Sequence, residues 1–458
     1  MDHKEIKQDR IAVQKDLVAL ARIFGNAGFS VYLVGGALRD MYLNRENYDL
    51  DVATDARPED VVRLFRKTIP TGIKHGTVTI RFKGHSIECT TMRREAGYSD
   101  SRHPDSVEYG TSITEDLSRR DFGMNAIAAR LPEGNIIDPY NGRKDIEEKT
   151  IRAVGEPLMR FSEDGLRPMR AIRFASQLGF CIEKETLQAI PLSLEKMKSV
   201  SIERFQDEFN KMLKGEYFPT ALLLMKKTGI MQLFLPKLNE LEELQLYQML
   251  YATSLVPSKA LTLRLSLICY WIHSQEKSGN LHSIETMLKA LKYSNKMIED
   301  VLHFVKHCNF EIEMLTNVAN YKANIRRFLK KIGKENVQSI FTLKKAITLS
   351  KIAKDENLLI QNTFSSSETQ CPSYNRQQKR MTELFENIEQ DIQTVLEENP
   401  ALSIKELAIN GEDLINIGIQ KGPQIGKILN ELVDMVIESP KSNTKEALIE
   451  QARKIRTL

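Results

Sequence analysis

The chain has 458 residues, of which 65 are Lys or Arg and 61 are Asp or Glu, giving a formal net charge of +4. With 41% hydrophobic and 28% charged residues, its composition is that of a globular protein and excludes wholesale disorder or a fibrous repeat. No apolar run approaches the ~20 residues that span a bilayer, and the five scattered cysteines form no C-x-x-C pair, so no membrane segment, disulfide framework or cysteine zinc site is expected.

In chain order, the N-terminus Met1-Asp2-His3-Lys4-Glu5 carries both signs of charge, so no signal peptide is expected, and the odd number of scattered cysteines suits a reducing cytoplasm. Ile6 to Phe24 reads as an amphipathic helix ending near Gly25 and Gly28, and Ser30 to Val34 as a strand running into Gly35-Gly36. Tyr48 to Thr54 reads as a second strand and Pro58 to Lys67 as a helix opened by its proline. Gly76 to Phe82 and His85 to Thr91 form a hairpin pattern around Lys83-Gly84. After Thr150 strand signals fade and helical periodicity takes over, as in Leu166 to Leu178, Ile202 to Leu213, Thr220 to Thr228 and Ala260 to Ile272. Phe364 to Tyr374 is polar, contains Pro372, and reads as a linker before a last helical unit. The fold class is therefore α+β: a mixed-sheet N-terminal third followed by an all-helical remainder.

Four constellations carry chemistry. Gly35-Gly36-Ala37-Leu38-Arg39-Asp40 follows a strand, and such a turn lets backbone N–H groups approach an anion while Arg39 adds a charge-assisted bond; the plain alternative is a tight strand–helix turn. Asp49 and Asp51 lie two apart on the next strand, on one face and about 6.6 Å apart by strand rise. Two carboxylates converging there call for a cation, and Mg²⁺ prefers oxygen ligands; the alternative is a pair of solvent-facing acids. Glu88, on a later strand, is either a third acid of this group or an outward-facing side chain. Arg119-Arg120-Asp121 followed by Asn125 offers cations for phosphate and short polar groups for sugar hydroxyls, or else marks a charged helix N-terminus.

The fourth is Glu163-Asp164-Gly165-Leu166-Arg167-Pro168-Met169-Arg170-Ala171-Ile172-Arg173. Asp164, Arg167, Arg170 and Arg173 recur every three residues, so on a helix they form a row that spirals slowly. A carboxylate only accepts hydrogen bonds and a guanidinium only donates. Cytosine and adenine place an amino donor beside a ring-nitrogen acceptor, whereas uracil and guanine reverse that order. An Asp164/Arg167 pair would therefore admit C and A and reject U and G without a template. The alternative is a salt-bridge lattice on a solvated helix, such as Glu163 with Arg167.

Taken in this order, GGALRD, YDLDVAT, TTMRREAGYSDSRHPDSVEY, RRDFGMNA, DPYNGRKDIEEKTIRAVG and EDGLRPMRAIRFASQLGF resemble the motifs of the class II tRNA nucleotidyltransferases, the CCA-adding enzymes and bacterial poly(A) polymerases. Ser201-Ile202-Glu203-Arg204 resembles the family's short last motif, and Leu407 to Leu432 is similar to the C-terminal domain of Bacillus-type members. The resemblance implies a seahorse of catalytic head (1–150), neck (151–215), body (216–362) and linker with tRNA-binding tail (363–458). It implies Mg²⁺ on Asp49 and Asp51, the triphosphate near Gly36, Arg39 and Arg120, and the ribose beside Asp121 and Asn125. Asp164 and Arg167 would read the base, Glu163 would fix Arg167, and Arg170 and Arg173 would complete the pocket. The implied reaction adds CMP, CMP and AMP to the tRNA 3′ end from CTP and ATP, releasing pyrophosphate; A-only addition, poly(A) synthesis and a non-catalytic RNA-binding role are the alternatives. The loop with Arg94, Glu95, Tyr98, Asp100 and Arg102 is full length, which argues against a CC-only enzyme. Pro168 and Gly123 depart from the family pattern, the latter standing where many relatives have Thr.

Among lesser features, the turn Gln420 to Lys427 suits either an RNA phosphate or a helix–turn–helix joint. His303, His307 and Cys308 have helical metal-ligand spacing but lack further ligands nearby, and Trp271 is expected in the core.

Overall fold

The computed structural model describes residues 10–45, 50–72, 76–96, 106–109, 112–276, 279–316, 320–353 and 376–456. Asp49, the loop residues Tyr98, Asp100 and Arg102, the linker Phe364 to Tyr374 and Cys371 lie outside them. The chain divides into two compact units, Met1–Glu240 and Leu241–Leu458.

The first unit opens with helix α1 (Lys15–Asn26), which buries Leu17, Leu20, Ala21 and Phe24. Its start falls later than the apolar spacing suggested. Ile11 N–H bonds the Gly134 carbonyl at 3.0 Å and Arg10 bridges Asn135, so residues 10 and 11 lie along a strand edge instead of coiling. Strand β1 (Val31–Val34), helix α2 (Gly36–Tyr42), strand β2 (Leu50–Thr54) and helix α3 (Pro58–Leu64) follow. Helix α3 stops at Leu64, short of the Lys67 end expected for it, and β3 (Thr68–Gly72) follows as a strand that was not expected. Thr68 and Ile69 are β-branched and Pro70 biases Ile69 towards extended backbone, which favours a strand here.

Strands β4 (Thr77–Phe82) and β5 (His85–Thr91) form the expected hairpin. Lys83 and Gly84 both have positive φ, 47° and 87°, as a two-residue turn matched to strand twist requires. A short ribbon, β6 (Arg93–Ala96) with β7 (Ser106–Tyr109), leads to helix α4 (Ile113–Ser118), capped reciprocally by Ser112 and Glu115. Strands β8 (Ala128–Leu131) and β9 (Asn135–Ile137) complete a seven-stranded mixed sheet ordered β3-β4-β5-β2-β1-β8-β9, in which β2 and β5 are parallel and the other neighbours antiparallel.

Helix α5 (Gly142–Glu147) precedes the two-residue parallel pair β10 (Thr150–Ile151) and β11 (Cys181–Ile182), between which lie α6 (Pro157–Glu163) and α7 (Arg167–Leu178). Helix α7 has buried residues on nearly every face and packs against α10 (Ile202–Leu213) and α11 (Phe218–Thr228), reached through α8 (Lys184–Leu192) and α9 (Leu194–Met197). Pro168 sits in the first turn of α7, where its missing N–H has no helical acceptor to lose, so α7 is not interrupted.

The second unit is helical, from Glu243–Ser254 to Lys445–Arg456. Trp271 and Tyr251 are fully buried in it, and Leu414, Leu432, Val436, Leu448 and Ala452 form a core among its last helices. The turn before Pro423 joins Gly411–Asn416 to Pro423–Glu438, the helix–turn–helix joint that was one of its two readings. His303 Nε2 lies 2.9 Å from the Ile332 carbonyl and the Cys308 thiol donates to the Val305 carbonyl, and no group of three metal-ligating side chains gathers among the described residues. Cys89, Cys181, Cys269 and Cys308 are free thiols, and no described helix is long and apolar enough to cross a membrane.

Candidate active site

The site grows from the end of β1. Gly35 adopts φ 68° and ψ −130°, and its N–H bonds the Ile127 carbonyl at 3.3 Å. The backbone angle requires glycine, and a Cβ there would stand 2.8 Å from Arg120 Nη1 and push that guanidinium aside. One turn into α2, Arg39 donates from Nη1 to Asn125 Oδ1 at 2.8 Å and from Nε to Asp40 Oδ1 at 2.9 Å.

Asn125 answers the question raised by its place in an apolar run. It is 6% exposed, lies in the 3₁₀ turn Gly123–Asn125, and donates from Nδ2 to Asp121 Oδ1 at 3.1 Å. The segment after Arg120 is therefore a buried turn, not the charged helix N-terminus that was its alternative. Asp121 also accepts the Phe122 N–H at 2.8 Å and Arg170 Nε at 2.8 Å. Burial pulls its carboxyl upward, but Arg170, Asn125 and Arg167 together outweigh burial and hold it well below the usual carboxylate range.

Asp164 is not on the arginine helix. It has extended backbone (φ −142°, ψ 109°) between α6 and α7, and only Arg167, Arg170 and Arg173 ride on α7. Its Oδ1 accepts the Leu166 N–H at 3.0 Å and its Oδ2 accepts Arg204 Nη2 at 2.7 Å. Arg167, the first residue of α7, donates from Nη1 to Glu163 and, at 2.7 Å, to the Arg160 carbonyl. Its Nη2 donates to the Arg119 carbonyl at 2.9 Å. These bonds fix the guanidinium plane and leave, among the described residues, Nε–H and one Nη2–H to donate elsewhere.

Four residues that the sequence reading did not place in the site complete it. Glu208 on α10, 3% exposed, accepts Arg173 Nε at 2.6 Å and lies 3.6 Å from Arg170 Nη1. The Phe174 ring carries the guanidiniums of Arg173, Arg39 and Arg170 at 3.5, 5.1 and 5.6 Å from its centroid. Arg204 stood in a quoted motif without an assigned role, and Asp116 lies beneath Arg119 and Arg120. Spacing carried no signal for Glu208, which becomes a partner only through helix packing, whereas Asp116 stands three and four residues before Arg119 and Arg120, a spacing that could have flagged the pairing.

Together these side chains line a cavity of about 450 Å³ that includes Gly35, Gly36, Arg39, Asp51, Arg120, Asp121, Asn125, Asp164, Arg167, Arg170 and Arg173. Asp51 on β2 is in register with Glu88 on the parallel neighbour β5, so the two carboxylates share one sheet face, and Glu88 is exposed. An all-oxygen donor set of this kind suits a hard divalent cation.

A strand–Gly-Gly–helix turn opening onto an arginine-rich cavity beside a strand-borne acid is the head of a nucleotidyltransferase. The family described as the poly A polymerase head domain matches residues 31–152, the probable RNA and SrmB-binding site of polymerase A matches 179–242, and a putative tRNA nucleotidyltransferase domain 2 matches 311–452. The chain is 35% identical over 424 residues to the CCA-adding enzyme of Geobacillus sp. (strain WCH70), with 92% of each covered. It is also 35% identical over 424 residues to the CCA-adding enzyme of Lactobacillus johnsonii, with 93% of each covered. The crystal structure of Bacillus stearothermophilus CCA-adding enzyme in complex with CTP superposes with a TM-score of 0.71 at 30% identity, covering 97% of this chain and 98% of that one. The chain belongs to the CCA-adding enzyme family of class II tRNA nucleotidyltransferases, whose members are metal-dependent enzymes.

Proposed function

We infer that the protein adds CMP, CMP and AMP to the 3′ end of tRNA from CTP and ATP, without a nucleic-acid template and with release of pyrophosphate. The observation that carries this reading is the Asp164/Arg167 pair, held rigidly at one part of a cavity whose remaining wall is rich in arginine. Asp164 keeps acceptor capacity for an exocyclic amino group, and Arg167 keeps donors for a ring nitrogen, the order that cytosine and adenine present. Arg39 and Arg120, beside the Gly35-Gly36 turn, supply charge for the triphosphate; Asp121 and Asn125 face the ribose; Arg170 and Arg173 close the pocket over Phe174.

Asp51 would hold Mg²⁺ together with Asp49, with Glu88 as the neighbouring acid on the same sheet face. When bound, the metal would lower the pKa of the attacking hydroxyl and stabilise charge on the departing phosphates. The chain's own contribution is to set the α-phosphate in line with the tRNA terminal hydroxyl, and no covalent enzyme intermediate is required. We assign residues 1–150 to the head, 151–215 to the neck, 216–362 to the body and 363–458 to the linker and tRNA-binding tail, and place the enzyme in the cytoplasm.

The test supplies the purified protein with tRNA ending at the discriminator base, at C, or at CC, each with labelled CTP or ATP. CTP should extend the first two and ATP the third. Extension of only the CC-ending tRNA, by ATP, with no incorporation of CTP into the other two, would replace this reading with A-only addition, and long A-tracts on unrelated RNA would replace it with poly(A) synthesis.

A further inference from the structure

We propose that Asp116 is a positioning residue that aims Arg119 and Arg120 at the phosphate end of the bound nucleotide. The proposal rests on the reading of the cavity given above and extends it to a residue outside the cavity wall.

Asp116 lies on α4 and is 1% exposed. Its Oδ1 accepts Arg119 Nε at 3.0 Å and Arg119 Nη2 at 2.7 Å, while its Oδ2 accepts Arg120 Nη2 at 3.3 Å. Both arginines line the cavity. Two guanidiniums on consecutive residues repel each other, and one buried carboxylate between them neutralises that repulsion while fixing both planes. Arg120 has little else to hold it. Its Nε is buried with no hydrogen-bond partner, and its Nη1 reaches the Asn125 carbonyl only at 3.5 Å, above the space that Gly35 leaves open.

The base-reading residues are held by the backbone of the same turn and not by the carboxylate. Arg119, pinned by Asp116, offers its backbone carbonyl to Arg167 Nη2 at 2.9 Å. Asp116 thus governs the side chains that face the phosphates, while the base reader keeps its backbone contact when the carboxylate is lost. A purely structural ion pair at the end of α4 would alter melting temperature without distinguishing between nucleotides. A positioning role distinguishes a triphosphate from a monophosphate carrying the same base.

The experiment compares wild type with Asp116→Asn, measuring CTP and ATP affinity by calorimetry and CMP as a competitor. The amide keeps the volume but turns one acceptor into a donor facing Arg120. Two effects then oppose each other. Removing a negative charge beside the cavity favours phosphate binding if the guanidiniums stay in place, whereas losing their shared acceptor lets Arg120 leave its position. The proposal requires the second to win: CTP and ATP bind about tenfold more weakly, CMP changes less than about twofold, and KM for both triphosphates rises more than kcat falls. Unchanged or tighter CTP binding overturns it, as does a parallel loss of CTP and CMP. A double-mutant cycle gives an independent reading: Asp116→Asn adds no further loss in an Arg120→Met background, and additive losses would overturn the proposal. Wild-type protein that binds neither CTP nor ATP would remove the underlying assignment of the cavity instead.

Discussion

Two buried aspartates beside the Gly123 turn show how differently one chain can treat a carboxylate. Asp121 faces the cavity, and Asp145 packs behind the Gly123 turn. Both are almost wholly buried, at 8% and 2% exposure. Asp121 has a carboxyl depressed below the ordinary range, because Arg170, Asn125 and Arg167 outweigh the effect of burial. Asp145 is pushed up to about 6: burial dominates, its one cation, Arg152, is shared with Glu183, and Glu183 and Glu148 repel it. One oxygen of Asp145 has no hydrogen-bond partner. Burial sets a common cost, and the supply of positive charge decides whether the group remains an anion.

The largest break in this contrast comes from removing the cation that Asp121 depends on. Arg170→Met leaves Asp121 and Glu208 facing a gap in positive charge, and breaking a buried pair from one side costs roughly 3–5 kcal/mol. Arg170 is 32% exposed along its side chain, which places the cost near the lower end. Because Arg170 also lines the cavity, nucleotide incorporation should separately fall about a hundredfold, a loss of about 2.7 kcal/mol of transition-state stabilisation. Steady-state incorporation and thermal melting measure the two effects. Near-wild-type values in both would mean that Asn125 and Arg167 suffice for Asp121.

The next break comes from Gly123, where a Cβ would run into the Asp145 carboxylate and come within 3.3 Å of the Tyr140 carbonyl. The fold has used that space, so Gly123→Ala should destabilise the protein by roughly 1–3 kcal/mol through overpacking. A melting temperature unchanged from wild type would show that the Asp145 side chain gives way at no cost.

These two residues also show what a sequence conveys. The recurrence of Arg167, Arg170 and Arg173 was legible as a helix over Leu166 to Leu178, yet Asp164, read as the first of the same row, falls just outside because extended backbone precedes the first turn. Strand β8 was missed because its Ala-Ala-Arg-Leu favours helix locally, and pairing with β1 on one side and β9 on the other makes it a strand. The glycine turn and the arginines could be read from spacing and chemistry. Glu208 and Asp145 could not, since their value depends on which side chains α10 and α5 bring against them in three dimensions; the spacing of Asp116 to Arg119 and Arg120 was there to be read, but its burial was not. Gly123 was legible as a departure from the family pattern, but the carboxylate occupying the space beside it was not.

The smallest effect sharpens the contrast most, because its sign depends on pH. In wild type the folded-state pKa of Asp145 lies above the ordinary carboxylate value of 3.8, at about 6. The folded protein therefore binds a proton more tightly than the unfolded chain does. The stability this group contributes is fully present below about pH 4 and is lost as pH rises through about 6. Asp145→Asn retains an oxygen to accept from Arg152 and removes the titration. The variant should gain melting temperature relative to wild type at pH 8 and lose that advantage at pH 4. Asp121→Asn should behave in the opposite sense, since a depressed carboxyl contributes stability at neutral pH and loses it on acidification. Parallel pH–melting curves for wild type and Asp145→Asn would mean that Arg152 and Glu183 rearrange to pair the anion fully, and the difference between the two aspartates would then lie in hydrogen bonding alone.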